Sequence, residues 1–150
     1  MAGIVEALYI GPEDAGPMSE VDEVTADAGK GLVGDRYYDN GVADEEITLI
    51  ESESIAAAQA IAEVDFANED TRRNVVTSGV RLESLVGRKF KVGGVTIEGL
   101  EKNPSCKHLE RVTGKKIMKP LLHVEGGAGI RGRIVSGGVI RTGDPVEDSV

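Results

Sequence analysis

Aromatic side chains are scarce: three Tyr, two Phe and no Trp in 150 residues. A base-stacking platform for single-stranded nucleic acid needs more than that, so the core must be packed from Val, Ile, Leu and Ala. Cysteine occurs once, as Cys106. An internal disulfide is therefore impossible, and so is an all-cysteine metal site within one chain. A free thiol of this kind suits a reducing compartment. No run approaches the roughly 18 consecutive apolar residues of a membrane-spanning helix. Met1-Ala2-Gly3-Ile4-Val5-Glu6 also lacks the basic-then-apolar pattern of a secretory leader. The expectation is a cytoplasmic protein with no membrane partner.

Positive charge is short overall, with 17 Lys and Arg against 26 Asp and Glu, a formal net charge of −9. That balance opposes a nucleic-acid backbone as partner. The shortage is uneven. Between Lys102 and Thr142 stand nine basic residues, Lys102, Lys107, Arg111, Lys115, Lys116, Lys119, Arg131, Arg133 and Arg141, against only Glu110 and Glu125. This segment carries +7 and leaves −16 for the remainder. Two readings stay open: an anion-receiving surface around the sole cysteine, or charges that pair with the acidic remainder across the fold.

A chain of this length makes one domain, residues 1–150, able to bury roughly 70% of its unfolded surface. Ile4 to Ile10 reads as an imperfectly alternating strand ended by Gly11-Pro12, and Val21 to Ala26 as a second strand. Gly29-Lys30-Gly31-Leu32-Val33-Gly34-Asp35-Arg36 is glycine-rich without the order of a P-loop. It is either a turn between strands or backbone able to approach a phosphate. Tyr37 to Glu45 is a polar loop. Glu46 to Glu51 is strand-like, and a helix follows from Ser52 to Glu63, with Ser52 or Ser54 as its cap and Ile55, Ala58, Ile61 and Ala62 at helical spacing.

Thr71-Arg72-Arg73-Asn74-Val75-Val76-Thr77-Ser78-Gly79 gathers guanidinium, amide and hydroxyl groups on a short strand. It suits a phosphate or polar heterocycle, or is simply an exposed strand end. Arg81 to Val86 predicts one helical turn. Two glycine-tipped hairpins are expected, one about Gly93-Gly94 joining Phe90–Val92 to Val95–Leu100, the other about Gly137-Gly138 joining Ile130–Val135 to Val139–Arg141. Cys106 to Thr113 and Lys115 to Leu122 read as short basic helices. Many short strands, glycine turns and one substantial helix give the fold class: mainly β with short helices, an antiparallel β-barrel.

Asn103-Pro104-Ser105-Cys106-Lys107-His108-Leu109-Glu110 is the stretch with the most chemistry. A thiol reacts as thiolate, which nearby cations and a helix start favour. Lys102, Lys107, His108 and Arg111 supply the cations. Such a thiolate can attack or carry sulfur, or bind a soft metal; equally, a lone cysteine can be a small buried hydrophobe. A Cys-His hydrolase is disfavoured, because His108 lies only two residues from Cys106 and His123 sits on an apolar run. A zinc site with one Cys and two His lacks a compact ligand motif.

Taken together, Gly34-Asp35, the strand and helix start Ile47 to Glu53, Thr71 to Gly79, Leu85-Val86-Gly87, Pro104-Ser105-Cys106, Arg131-Gly132-Arg133, Gly137-Gly138 and Gly143-Asp144 resemble, in order, the blocks of the MOSC domain family. The resemblance runs from residue 31 to 146. This family includes the β-rich domain at the C-terminus of molybdenum cofactor sulfurases, a domain of the amidoxime-reducing component, and small stand-alone proteins. The resemblance implies molybdenum or sulfur handling, with Cys106 as the thiolate ligand of molybdenum in a bound molybdopterin cofactor or as an acceptor of sulfane sulfur. It also implies that Arg73, Asn74, Thr77 and Ser78 hold the pterin and its phosphate, with added charge from Arg131 or Arg133. An enzyme of this kind would remove oxygen from an N-hydroxylated substrate. It would take electrons from an external donor, because no flavin, haem or iron–sulfur motif is present. The rival expectations are a non-catalytic persulfide carrier served by a separate pyridoxal-phosphate-dependent cysteine desulfurase, and a β-barrel interaction module with an inert cysteine.

Overall fold

The structure, a computed structural model, describes residues 3–13, 16–103 and 107–148, with the backbone alone for 107–109. Cys106, the expected metal ligand and reactive thiol, lies outside the described residues. Eleven strands and three α-helices are described: β1 (Gly3–Ile10), β2 (Ser19–Val21), β3 (Glu23–Asp27), β4 (Gly31–Leu32), β5 (Ile47–Glu51), α1 (Ser52–Ile61), β6 (Val75–Ser78), β7 (Lys89–Val92), β8 (Val95–Lys102), α2 (Lys107–Thr113), α3 (Met118–His123), β9 (Ile130–Ser136), β10 (Gly138–Arg141) and β11 (Pro145–Glu147). Among the described residues, no helix is long and apolar enough to cross a membrane.

Seven strands close into a barrel in the order β1-β11-β7-β8-β9-β5-β6 and back to β1, with β2 paired to the free part of β1. The expected antiparallel barrel is therefore present with one exception. β5 and β6 run parallel, Leu49 opposite Val75 and Glu51 opposite Thr77. Parallel neighbours need a long crossover, and α1 supplies it.

The alternation along β1 is imperfect because the strand bulges. Val5 pairs with Thr77 and Ala7 with Val76, so Glu6 is the extra residue. One extra residue reverses which face each later side chain meets. Val5 and Leu8 consequently enter the barrel interior, whereas Ala7 and Tyr9 point to a second core. The interior is aliphatic around Phe90. The second core lies outside the wall, where Ile55 and Ala58 of α1 and Leu121 of α3 cover Ile50 and Val76.

The hairpin about Gly93-Gly94 forms as expected, Val92 opposite Val95. The expected hairpin about Gly137-Gly138 does not. β9 pairs with β5 and β8, while β10 leaves the barrel to pair with β3 in a separate three-stranded sheet, β10-β3-β4. Alternation marks a segment as a strand but does not choose its partner. At the crossing, a Cβ on Gly137 would lie 2.6 Å from the Ala26 carbonyl oxygen. The helix cap is also corrected. Glu51 holds the N-cap position of α1 without a side-chain cap, and the Ser54 hydroxyl instead donates to the Glu125 carbonyl at 2.6 Å. Buried Ser54 thus ties the loop before β9 to the helix rather than ending the helix.

Candidate anion cleft

A cleft of about 80 Å³ opens where the start of β6 meets β5, the end of β8 and the turn after β4. Its framework begins at Asp35, whose side chain is 2% exposed. One carboxylate oxygen of Asp35 accepts from the Gly11 N–H at 2.8 Å and from Arg36 at 3.2 Å, and the other accepts from the Tyr37 N–H at 3.4 Å. Arg36 follows, its guanidinium 4.4 Å from the centre of the Tyr37 ring and also donating to the Met18 sulfur. With 9% of its side chain exposed, Arg36 keeps a buried Nε that has no hydrogen-bond partner among the described residues. A buried guanidinium donor left over in this way is a vacancy for an acceptor.

Arg72 adopts a left-handed backbone, φ 58°, where a short 3-10 helical turn gives way to β6. That conformation is uncommon for a side chain other than glycine. It sets Arg72 and Arg73 apart: Arg72 donates to the Gly16 carbonyl, and the Arg73 Nε donates to the Ala128 carbonyl at 2.8 Å. Asn74 is fully engaged by the framework. Its Oδ1 accepts from the Thr48 N–H and hydroxyl, and its Nδ2 donates to the Tyr9 carbonyl at 3.1 Å. It therefore locks β1, β5 and β6 together at the cleft. Across the cleft, the Arg131 Nε donates to Asn103 Oδ1 at 3.1 Å, and a terminal nitrogen of Arg131 reaches Asp44 and Glu101.

Of the residues expected at an anion site, Arg73, Asn74 and Arg131 come together here. Thr77 and Ser78 do not line this cleft. They lie three and four residues further along β6, roughly 10 Å and more at strand rise. Thr77 is buried against the Ile50 carbonyl, and Ser78 donates to Glu6 at 2.6 Å. Arg133 is held on the barrel wall by Glu98. Arg36, Thr48 and Asn103 also line the cleft and did not figure among the expected anion-site residues, and Arg72 figured only as part of the Thr71 to Gly79 donor run. For Arg36 the signal was available in the glycine-rich run from Gly29 to Arg36, which reads from sequence either as a turn or as backbone able to approach a phosphate. For Asn103 the signal was its place three residues before Cys106.

Four arginines therefore line a cleft that also holds two carboxylates, Asp44, paired with Arg131, and Glu45, held by Asn40. Such an excess of charge-assisted donors suits a phosphate or another compact anion. Among the described residues, no group of three His, Cys, Asp or Glu could hold a metal ion.

Fold and motif order together define a MOSC domain. The MOSC domain family model matches residues 30–147, and the chain belongs to that family. It is similar in structure to the YuaD protein from Bacillus subtilis, at 21% identity with a TM-score of 0.80, covering 98% of this chain and 95% of that one. YiiM from Geobacillus stearothermophilus is 15% identical with a TM-score of 0.76, over 99% of this chain and 75% of its own. YiiM from Escherichia coli is 21% identical with a TM-score of 0.72, over 100% and 70% respectively. No curated protein matches the sequence.

Proposed function

We propose that this protein, as one cytoplasmic domain, binds a molybdenum–pterin cofactor, with Cys106 as the metal's thiolate ligand and the arginine cleft as the seat of the cofactor's anionic end. The observation that carries the reading is the gathering of four arginines, Arg36, Arg72, Arg73 and Arg131, around one cleft, with a buried Nε of Arg36 that has no hydrogen-bond partner among the described residues. The donor set suits a phosphate: Arg36 brings a buried Nε–H with no partner among the described residues, and Arg73 and Arg131 are oriented by the Ala128 carbonyl and Asn103 Oδ1, with Asp44 and Glu101 also on a terminal nitrogen of Arg131. Asn103 connects the cleft to the thiol, lining the one and standing three residues before the other. When bound, the cofactor supplies oxygen-atom and electron transfer, for which a separate electron donor is needed. The chain's own part is to hold the anion, to fix the Arg36 and Arg73 geometry through Asp35 and Ala128, and to present the thiolate.

The test is molybdenum content by elemental mass spectrometry, with pterin measured by fluorescence after acid oxidation, for the wild type and Cys106→Ser from a host that makes the cofactor. Near-stoichiometric metal in the wild type, lost in the variant, is the expected result. No molybdenum and no pterin in either overturns the proposal. In that case a mass increase of about 32 Da on the wild type alone, one sulfur on a thiolate, would assign the same lone thiol to sulfane sulfur delivered by a cysteine desulfurase.

A further inference from the structure

The basic surplus of the Lys102–Thr142 segment divides in two. On the barrel side it is paired: Lys102 with Glu83, Arg131 with Asp44 and Glu101, Arg133 with Glu98, and Arg141 with Glu23. On the helical side Lys115 pairs with Asp70, but the other described cations do not pair. Arg111, Lys116 and Lys119 are exposed, and no described acid pairs with them. Glu110, the acid nearest in sequence, instead accepts from the Met118 N–H at 3.0 Å. Within this segment the positive charge open to a partner is concentrated around α2 and α3, on a molecule of formal charge −9.

Beside these cations lies a groove of about 560 Å³ between the C-terminal end of α1 and α3. Ile61, 55% exposed, and Val64, 37% exposed, line it together with Met118 and Pro120. Lys116, Lys119 and His123 also line it. Lys119 and His123 stand four residues apart on α3 and share a face, and Lys116 lies just before that helix. Glu63 and Glu110 are the opposing charges in the groove, Glu110 also accepting from the Met118 N–H, and exposed Arg111 adds a cation beside it.

We propose that this groove docks an acidic amphipathic helix of a partner protein. The apolar side chains suit the helix's buried stripe, and the basic side chains suit acids along its edge, the groove mode of helix recognition. The chain outside Lys102 to Thr142 carries a formal −16 and opposes such a partner. Encounter is therefore steered to this face and register is fixed by it. An extended phosphate polymer would meet the same repulsion without using Ile61 and Val64. The arginine cleft shares no residue with this groove, so the inference stands apart from the proposed anion seat.

The test is titration of the isotopically labelled full chain, followed by amide NMR, with a peptide of about 18 residues bearing Leu at helical spacing and Glu on both flanks. Shifts are expected at residues 61–64 and 110–123. Lys116→Glu/Lys119→Glu should weaken binding about tenfold or more, a salt increase from about 50 to about 300 mM should weaken it likewise, and Glu63→Lys should tighten it. Shifts elsewhere, undiminished binding by the double variant, or equal binding of the peptide with Lys in place of Glu would overturn the proposal. So would a stronger response of the same residues to phosphatidylglycerol vesicles or to single-stranded DNA. If the double variant loses its dispersed spectrum, Glu63→Lys and the salt series decide.

Discussion

Arg131 and Arg133 stand two positions apart on β9 and therefore share a face by strand alternation, yet their surroundings differ. Arg131 sits at the cleft against a neutral amide, with carboxylates on one terminal nitrogen. Arg133 is held by Glu98 one register position further along the wall. Both are paired with acids, but only Arg131 lines the cleft. Arg131→Ala is accordingly expected to lower retained pterin about tenfold, the loss of one charge-assisted hydrogen bond, while Arg133→Ala stays within about twofold. Pterin fluorescence after gel filtration of both variants measures this. Equal retention by the two would move the anion seat away from the cleft. Residue identity alone could not separate this pair, because both meet an acid of β8, Glu101 or Glu98, and only Arg131 also reaches Asn103 at the cleft.

At the scale of elements, Glu51 joins β5 to α1 and to the segment before β7. Its carboxylate is buried. It accepts from the Leu82 N–H at 3.2 Å and pairs with Arg81, which also reaches Glu125. Burial pushes the Glu51 carboxyl above its ordinary value, opposed by the Leu82 N–H and the Arg81 charge. The folded state thus favours the protonated form. The contribution of Glu51 to stability is greatest below the ordinary carboxylate range and falls as pH rises through the raised value. Arg81 limits that fall. Arg81→Ala should cost about 1 kcal/mol near pH 8 and much less near pH 4, where Glu51 is neutral, as read from guanidinium midpoints at the two pH values. An equal cost at both would mean that Arg81 acts by packing rather than by charge. The Gly93-Gly94 hairpin and the extent of α1 were legible in the sequence, because local turn chemistry and helical spacing decide them. The destination of β10 and the partner of Ser54 were not, because both depend on residues more than 70 positions away. The cleft was half legible for the same reason. Thr71 to Gly79 announces its donors, but the left-handed Arg72 and the strand direction decide that Arg73 and Asn74 reach it while Thr77 and Ser78 do not.

For the molecule as a whole, closure is the critical step. β11 joins β1 to β7 through Gly3 opposite Val146 and Val146 opposite Val92, with Val146 itself fully buried. The Val5 N–H bonds to the Asp144 carbonyl just before the strand. Without β11, β1 and β7 would each lose a partner, and the aliphatic interior around Phe90 would open along a seam. Open strand edges recruit other chains, and an acidic surface slows but does not prevent this. Deleting residues 145–150 should therefore cost at least about 3 kcal/mol, from the lost Val side chain and ladder hydrogen bonds, and should make light scattering rise with protein concentration. The anion cleft lies on the opposite wall, where β5, β6, β8 and β9 converge, so closure bears on it through the shared interior: Ile97, Ile130, Val75 and Leu49 pack in one cluster with Val146. A deletion variant that keeps a cooperative guanidinium transition at the wild-type midpoint would show that the barrel does not need its seam, and that the cleft is held by the β5–β6–β9 wall alone.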